Sequence, residues 1–386
     1  MIQYIHRIEP KGGNMGKLEN STRGFGSPSK YIQGPGELKN IKKYAKTFGK
    51  NLYILIDAFL YDSMKIAMES ICDEEGDLLE IDRFGGEVCE EEIDRILNGL
   101  QNKTIDVVIA IGGGKTIDTA KVIAEEVKAR IIVVPTAAST DAPTSALSVI
   151  YKKTGEHSHE AFLKTNPDIV LVDTEIIMNA PPRLLVSGMG DALATYFEAR
   201  ACKESRTANF IGKGFHPTLA GSAIAEACYK TLLEDGLEAK RSVLGQVFSE
   251  ALENVVEANT LLSGLGFENT GCAAAHGIHD ALTVLPETHS YYHGEKVSFG
   301  TICLLFLENR DKKEIEEVVD FCMEVGLPIT LADIGIADIS KEHLYPVAIE
   351  ASKSFLLAAE PIEVSPERIF GAMILADTYG KYKKRV

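Results

Sequence analysis

Asp191 and four histidines within eighteen positions, His276, His279, His289 and His293, are the side chains of this chain best suited to hold a divalent metal ion. One buried carboxylate and two imidazoles would grip such an ion and leave a coordination position open, which separates a catalytic site from a structural one. His276 and His279 lie three apart after Ala273-Ala274-Ala275, and His289 and His293 lie four apart, so each pair can share a helix face. Spacing does not choose among the four. Asp191 sits in Gly188-Met189-Gly190-Asp191-Ala192-Leu193-Ala194-Thr195, where a helix cap is the plainer explanation of an acidic residue. His157 and His159 fall in the turn that runs from Thr154 to His159, and His6, His216 and His343 have no visible partners.

A second chemical signal lies upstream, in Ala110-Ile111-Gly112-Gly113-Gly114-Lys115-Thr116. An apolar strand runs into three glycines, so the backbone can turn sharply and approach a ligand with no Cβ in the way. The helix that follows would aim its N–H groups and positive dipole end at an anion such as a pyrophosphate. A nucleotide-triphosphatase loop is excluded, because the position five before Gly114 is Ile109, not glycine. The usual GxGxxG dinucleotide motif is absent too. Asp57, at the end of another strand, can accept hydrogen bonds from ribose hydroxyls and would repel a 2′-phosphate, favouring NAD over NADP; a cap for the next helix is the alternative. A metal and a nicotinamide cofactor together would serve hydride transfer to or from an alcohol.

These residues need two kinds of scaffold. In the first half, apolar runs at residues 51–57, 105–111, 131–134 and 169–172 alternate with helical patterns at 60–71, 90–100 and 116–127. That alternation predicts a Rossmann-like parallel sheet covered by helices on both faces. After Asn179-Ala180-Pro181-Pro182 the pattern becomes helical throughout, with segments at 217–233, 242–262 and 366–379. Pro182 suits a first helical turn. The expected division is a flexible leader over 1–21, an α/β NAD-binding domain over 22–181 and an all-α metal- and substrate-binding domain over 182–386.

Bulk composition narrows the function further. The 386 residues exceed one typical core, and 45% hydrophobic with 25% charged content is that of an ordinary globular protein. A formal charge of −16 argues against nucleic acid, and the basic end Lys381-Tyr382-Lys383-Lys384-Arg385 reads as a solvated helix end. No apolar run is long enough for a membrane helix. The N-terminus lacks a signal peptide's apolar centre, and Met15 offers a second possible start. Seven scattered cysteines without a CxxC pair point to a reducing, cytoplasmic setting.

Longer motifs, in order, carry a resemblance. They are Tyr31-Ile32-Gln33-Gly34, Gly112 to Asp118, Asp141-Ala142-Pro143-Thr144-Ser145-Ala146-Leu147-Ser148-Val149-Ile150-Tyr151, Gly190 to Thr195, Gly264-Leu265-Gly266-Phe267-Glu268 and His293-Gly294-Glu295-Lys296-Val297. From about Pro28 to near the C-terminus the chain resembles the NAD-dependent glycerol dehydrogenases of the iron-containing (type III) alcohol dehydrogenase superfamily. The resemblance implies the dehydroquinate synthase-like fold, a cytoplasmic homo-oligomer such as an octamer, and oxidation of glycerol or related 1,2-diols to dihydroxyacetone-type ketones. It implies Asp191, His276 and His293 as metal ligands, with His279 and His289 as neighbours. Iron-dependent members carry a further histidine four residues after the aspartate; here Thr195 stands there. Three protein ligands favour zinc over iron.

The resemblance also implies Asp57 at the adenosine ribose, and Gly113, Gly114, Lys115 and Asp118 at the pyrophosphate. Thr136, Ser139, Ser145, Leu147 and Tyr151 would line the nicotinamide side, although residues 145–150 also read as an ordinary strand. Asp141 would contact the substrate hydroxyl and Phe267 would wall the substrate pocket. Three rival readings are weighed against this one. A glycerol-1-phosphate dehydrogenase would need cations where Asp141 stands. A 3-dehydroquinate synthase-type lyase would need clustered Lys and Arg, and a non-enzymatic nucleotide-binding regulator would not need the metal set.

Overall fold

The computed structural model describes residues 22–72, 76–212 and 214–385, and the expected leader over 1–21 lies outside them. The chain divides into two compact units, Gly26–Pro181 and Pro182–Val386. Residues 22–25 go with the second unit instead of opening the first, because Arg23 bridges His216 there.

Eight strands form in the first unit: β1 Lys30–Gly34, β2 Asn51–Ile56, β3 Leu78–Arg83, β4 Val107–Gly112, β5 Arg130–Pro135, β6 Leu147–Tyr151, β7 His157–Phe162 and β8 Ile169–Asp173. Six of them make one sheet in the order β1-β8-β5-β4-β2-β3, with every pairing parallel. The helices are α1 Ile41–Ala45, α2 Tyr61–Cys72, α3 Glu90–Gly99, α4 Gly114–Val127 and α5 Thr174–Met178. The continuous apolar run of β4 is explained by its position. Val107, Ile109 and Ile111 pack into the core shared with α1 and α2, while Val108 and Ala110 pack with α3 and α4. Successive side chains of a strand point to opposite faces, so both must be apolar when both are covered. Each fully buried Val or Ile contributes about 1.5–3 kcal/mol.

Four strands fall outside the alternation read in the sequence. β1 and β3 are the two edges of the sheet. The run Leu78-Leu79-Glu80-Ile81-Asp82-Arg83 is only partly buried, so selection for apolar residues is weak and no strand signal stands out. β6 and β7 pair antiparallel outside the main sheet. His157 and His159, read as part of a turn, belong to β7.

The second unit is helical. It runs α6 Pro182–Ser205, α7 Leu219–Gly245, α8 Glu250–Glu257, a π-helical turn over Ala258–Leu262, α9 Ser263–Thr270, α10 Ala274–Leu282, α11 His293–Leu307, α12 Lys312–Val325, α13 Lys341–Ala351 and α14 Pro366–Lys383. The expected helix over 242–262 is two pieces. Its first four residues finish α7, which stops where Gln246 takes a left-handed φ of 54°, and Ser249 restarts the chain by accepting from Leu252 N–H. The basic C-terminal end is ion-paired, not merely solvated: Lys381 meets Asp377 at 2.6 Å, Lys383 meets Asp320 at 2.6 Å, and Lys384 meets Asp333. No helix among the described residues is long and apolar enough to cross a membrane.

Candidate active site

Close helix packing brings the acid and the imidazoles of the second unit together. A Cβ on Gly294 would lie 1.8 Å from the Ser187 carbonyl oxygen, and one on Gly190 would lie 2.3 Å from the Gly294 carbonyl oxygen. These glycines let α6 and α11 touch backbone to backbone. The residues beside them, Asp191 and His293, then meet: Nε2 of His293 is 3.1 Å from Asp191 Oδ1. Gly300 plays the same part against α10, where a Cβ would fall 2.3 Å from the Ala275 carbonyl oxygen. His276 follows, with Nε2 3.2 Å from the same Oδ1 of Asp191. One ligand atom from each of Asp191, His276 and His293 lies within 4.8 Å of the others.

A second layer of carboxylates aims these groups. Glu198, on α6 and fully buried, accepts from the backbone N–H groups of Ala273 and His276 with one oxygen, both at 2.9 Å. Its other oxygen is 2.7 Å from His276 Nδ1, which fixes the ring and turns Nε2 toward Asp191. Glu360 accepts from Ala274 N–H at 2.8 Å, so two acids satisfy the N-terminus of α10. At α11, Glu295 accepts from Tyr292 N–H and holds Arg183 of α6 through two bonds of 2.6 and 2.8 Å.

The electrostatics follow from this burial. Burial alone would raise the Asp191 carboxyl, but the charges and hydrogen bonds of His293 and His276 outweigh it and hold the group far below the usual carboxylate range. Burial pushes His276 down, but Glu198, Cys272 and the hydrogen bond with Asp191 together outweigh it and hold the ring well above an ordinary histidine. Burial, then His293 and Lys296, keep His279 well below an ordinary histidine. Glu360 is pushed up to about 8 by burial and by the charge of Glu308, which is held by Arg310.

The four histidines separate clearly. His279 stacks edge-on against His293 with ring centroids 4.2 Å apart, and Asp280 holds its Nδ1. His289 is turned away, with Nε2 on the Thr283 carbonyl. Thr195 packs beneath Gly266 and shares a 2.8 Å hydrogen bond with Ser263. Phe267 is buried with Cys272 and Leu356, with Phe210 edge-on to it.

In the first unit, Asp57, Gly113, Gly114, Lys115, Thr136 and Ser139 gather at the carboxyl ends of β2, β4 and β5. Gly112 is required by close approach, because a Cβ there would sit 2.6 Å from Thr116 Oγ1; none of the three glycines has positive φ. Beside Gly113 a Cβ would meet nothing, and no side chain caps the N-terminus of α4. Asp57 accepts from Phe59 N–H at 2.9 Å, which serves the turn before α2, and from Thr116 Oγ1 at 3.3 Å. Lys115 reaches Glu87 at 2.6 Å and lies over the Tyr151 ring.

Asp118 and Ser145 belong to a buried cluster instead of the open turn. Asp118 accepts from Val149 N–H and faces Lys121, whose ammonium also donates to the carbonyls of Ala142 and Leu147. Ser145 Oγ is 3.3 Å from that ammonium. Lys121 therefore pins the loop that carries Asp141, itself buried. Sequence reading missed Lys121, Glu198 and Glu360. Their signal was a charge in an otherwise apolar helical run for the first two, and none for Glu360.

Residues 28–174 match the family described as iron-containing alcohol dehydrogenase. A glycerol dehydrogenase of Thermotoga maritima is 48% identical over 93% of this chain and 98% of its own length. A glycolaldehyde reductase of Halobacterium salinarum is 42% identical, covering 92% of this chain and 98% of its own. The crystal structure of a probable glycerol dehydrogenase from Sinorhizobium meliloti superposes with a TM-score of 0.88 at 46% identity, over 93% of this chain and 99% of that one. The chain belongs to the iron-containing alcohol dehydrogenase family. It is an oxidoreductase.

Two outcomes test the packing. Gly294→Ala forces α6 and α11 apart and should cost at least about 2 kcal/mol in urea unfolding, as overpacking at a backbone contact does. Glu360→Gln should flatten the pH dependence of stability. The folded-state pKa lies above the unfolded one, so its contribution is complete in acid and is lost as pH rises through about 8. Urea midpoints measured from pH 5 to 9 in wild type and variant check this, and parallel curves would contradict it.

Proposed function

We propose that this oxidoreductase oxidises glycerol and related 1,2-diols reversibly with NAD, and that the cation it uses is divalent, zinc in preference to iron. The observation that carries this reading is the convergence of Asp191, His276 and His293 with Glu198 behind His276. The donor set fits such an ion: a hard carboxylate oxygen and two imidazole nitrogens, with Thr195 engaged elsewhere. When bound, the cation would act as a Lewis acid on a substrate hydroxyl and lower its pKa. NAD, when bound, would accept the hydride.

The chain's own groups do the rest. Asp191 supplies the negative charge that offsets the cation. Glu198 accepts from Nδ1 of His276, so that Nε2 keeps its lone pair for coordination. The uncapped N-terminus of α4 receives the pyrophosphate, and Asp57 accepts from the ribose hydroxyls. Asp141 is the proposed hydrogen-bond partner of the reacting hydroxyl and can take its proton, directly or through water. Loss of that proton and of hydride from the central carbon converts glycerol to dihydroxyacetone. Phe267 limits the pocket to small substrates. A phosphorylated substrate is disfavoured, since neither Asp141 nor Phe267 offers a positive charge.

All seven cysteines are buried and none is joined in a disulfide, which supports a reducing, cytoplasmic setting. A homo-oligomer, an octamer by resemblance, is the assembly we expect.

NADH absorbance on adding glycerol tests the whole reading: it should rise with NAD, stop after chelation and return with zinc. Turnover that survives chelation, or that needs glycerol 1-phosphate, contradicts it. Glu198→Gln should weaken zinc binding about 10–100-fold in competition with a chromophoric chelator, and Asp191→Asn by more. Asp57→Gly should erase the preference for NAD, read as the ratio of kcat/KM for NAD and NADP; an unchanged ratio removes that residue from the cofactor site.

A further inference from the structure

A cavity of about 280 Å³ lies wholly within the second unit, where the end of α6 meets the start of α7. Arg23, Lys203, Arg206 and His216 line it together with Thr218 and Ser222, and no carboxylate does. That is unusual in a chain of formal charge −16. Elsewhere in the same unit Arg183, Arg200, Arg241 and Arg310 each pair with an acid. Among the described residues no side-chain hydrogen bond or close ion pair holds Arg23, Lys203 or Arg206, although Glu226 of α7 lies near enough to feel the charge of Lys203.

The three cationic side chains are exposed, and the backbone behind them is fixed. Gly24 N–H donates to the His216 carbonyl and His216 N–H to the Thr22 carbonyl. Buried Asn209 donates to the carbonyls of Gly24 and Asn269, which fixes the strand bearing Arg23. Arg206 holds a left-handed φ of 61° just past α6, where glycine or asparagine is the favoured residue, so the backbone gives no reason for an arginine. The 27-residue α7 begins at this cavity, and its dipole also favours negative charge there.

We propose that this cavity binds the phosphate group of a small metabolite, at a site separate from Asp191, His276 and His293. Two guanidinium groups and an ammonium suit the oxygens of a tetrahedral anion by charge and by number of donors. The volume exceeds that of a bare ion and leaves room for a short carbon chain.

The test uses full-length, chelator-treated protein at constant ionic strength, titrated with inorganic phosphate and separately with glycerol 3-phosphate. Tm and phosphorus NMR linewidth are followed. Saturable stabilisation is expected, and K203Q/R206Q together should weaken binding at least about tenfold by loss of charge-assisted hydrogen bonds. Should that double variant fail to fold, R23Q alone should weaken binding about threefold or more on the same ground. Asp191→Asn should leave it unchanged. Tighter binding of glycerol 3-phosphate supports an organic ligand, and equal binding supports free phosphate at the same site. Stabilisation that never saturates, that persists in the charge variants, or that is lost in Asp191→Asn overturns the proposal.

Discussion

Three helices of the second unit can hold their acid and imidazoles close because their backbones touch at glycine. Gly190 and Gly294 allow α6 to meet α11, and Gly300 allows α10 to meet α11. Any side chain at these points would hold the helices apart by more than the tolerance of a coordination shell. The motifs in which Asp191 and His293 stand are thus one device, in which the glycine sets the distance and its neighbour uses it. Packed interiors transmit such spacing faithfully, since they deform little.

Once the helices are close, carboxylates decide which way the rings face. Glu198 satisfies two backbone donors at the entry to α10 and holds Nδ1 of His276. The same residue therefore folds the helix terminus and selects the ring nitrogen left for coordination. In the first unit Lys121 has a comparable double duty. Its buried ammonium gathers Asp118 and the carbonyls of Ala142 and Leu147, and so shapes the loop after β5. A lysine buried this deeply is tolerated only because acceptors surround it.

Much of this was legible in the sequence. β4 reads as a doubly covered strand because every residue of Val107–Ile111 is apolar, and the glycine turn after it marks the start of α4. The edges β1 and β3 left little trace, since a strand covered on fewer sides carries fewer apolar residues. The candidate site was legible as a set of residue types. Which two of the four histidines approach Asp191 was not legible in their spacing, because that depends on how α10 and α11 pack; the family resemblance alone singled out His276 and His293, and these are the two that meet Asp191. Glu198 and Glu360 were hidden for a related reason: their partners lie 75 or more positions away in the chain. A helical pattern shows which face is apolar, but not which buried acid meets which distant N–H.

The claim on which the functional account depends is that one cation is held by one carboxylate and two imidazoles. X-ray absorption at the zinc edge of the zinc-loaded protein tests it most directly. A shell of light N/O ligands with outer scattering from two imidazole rings is the predicted result. A thiolate in the shell, or scattering from fewer than two imidazoles, would contradict it.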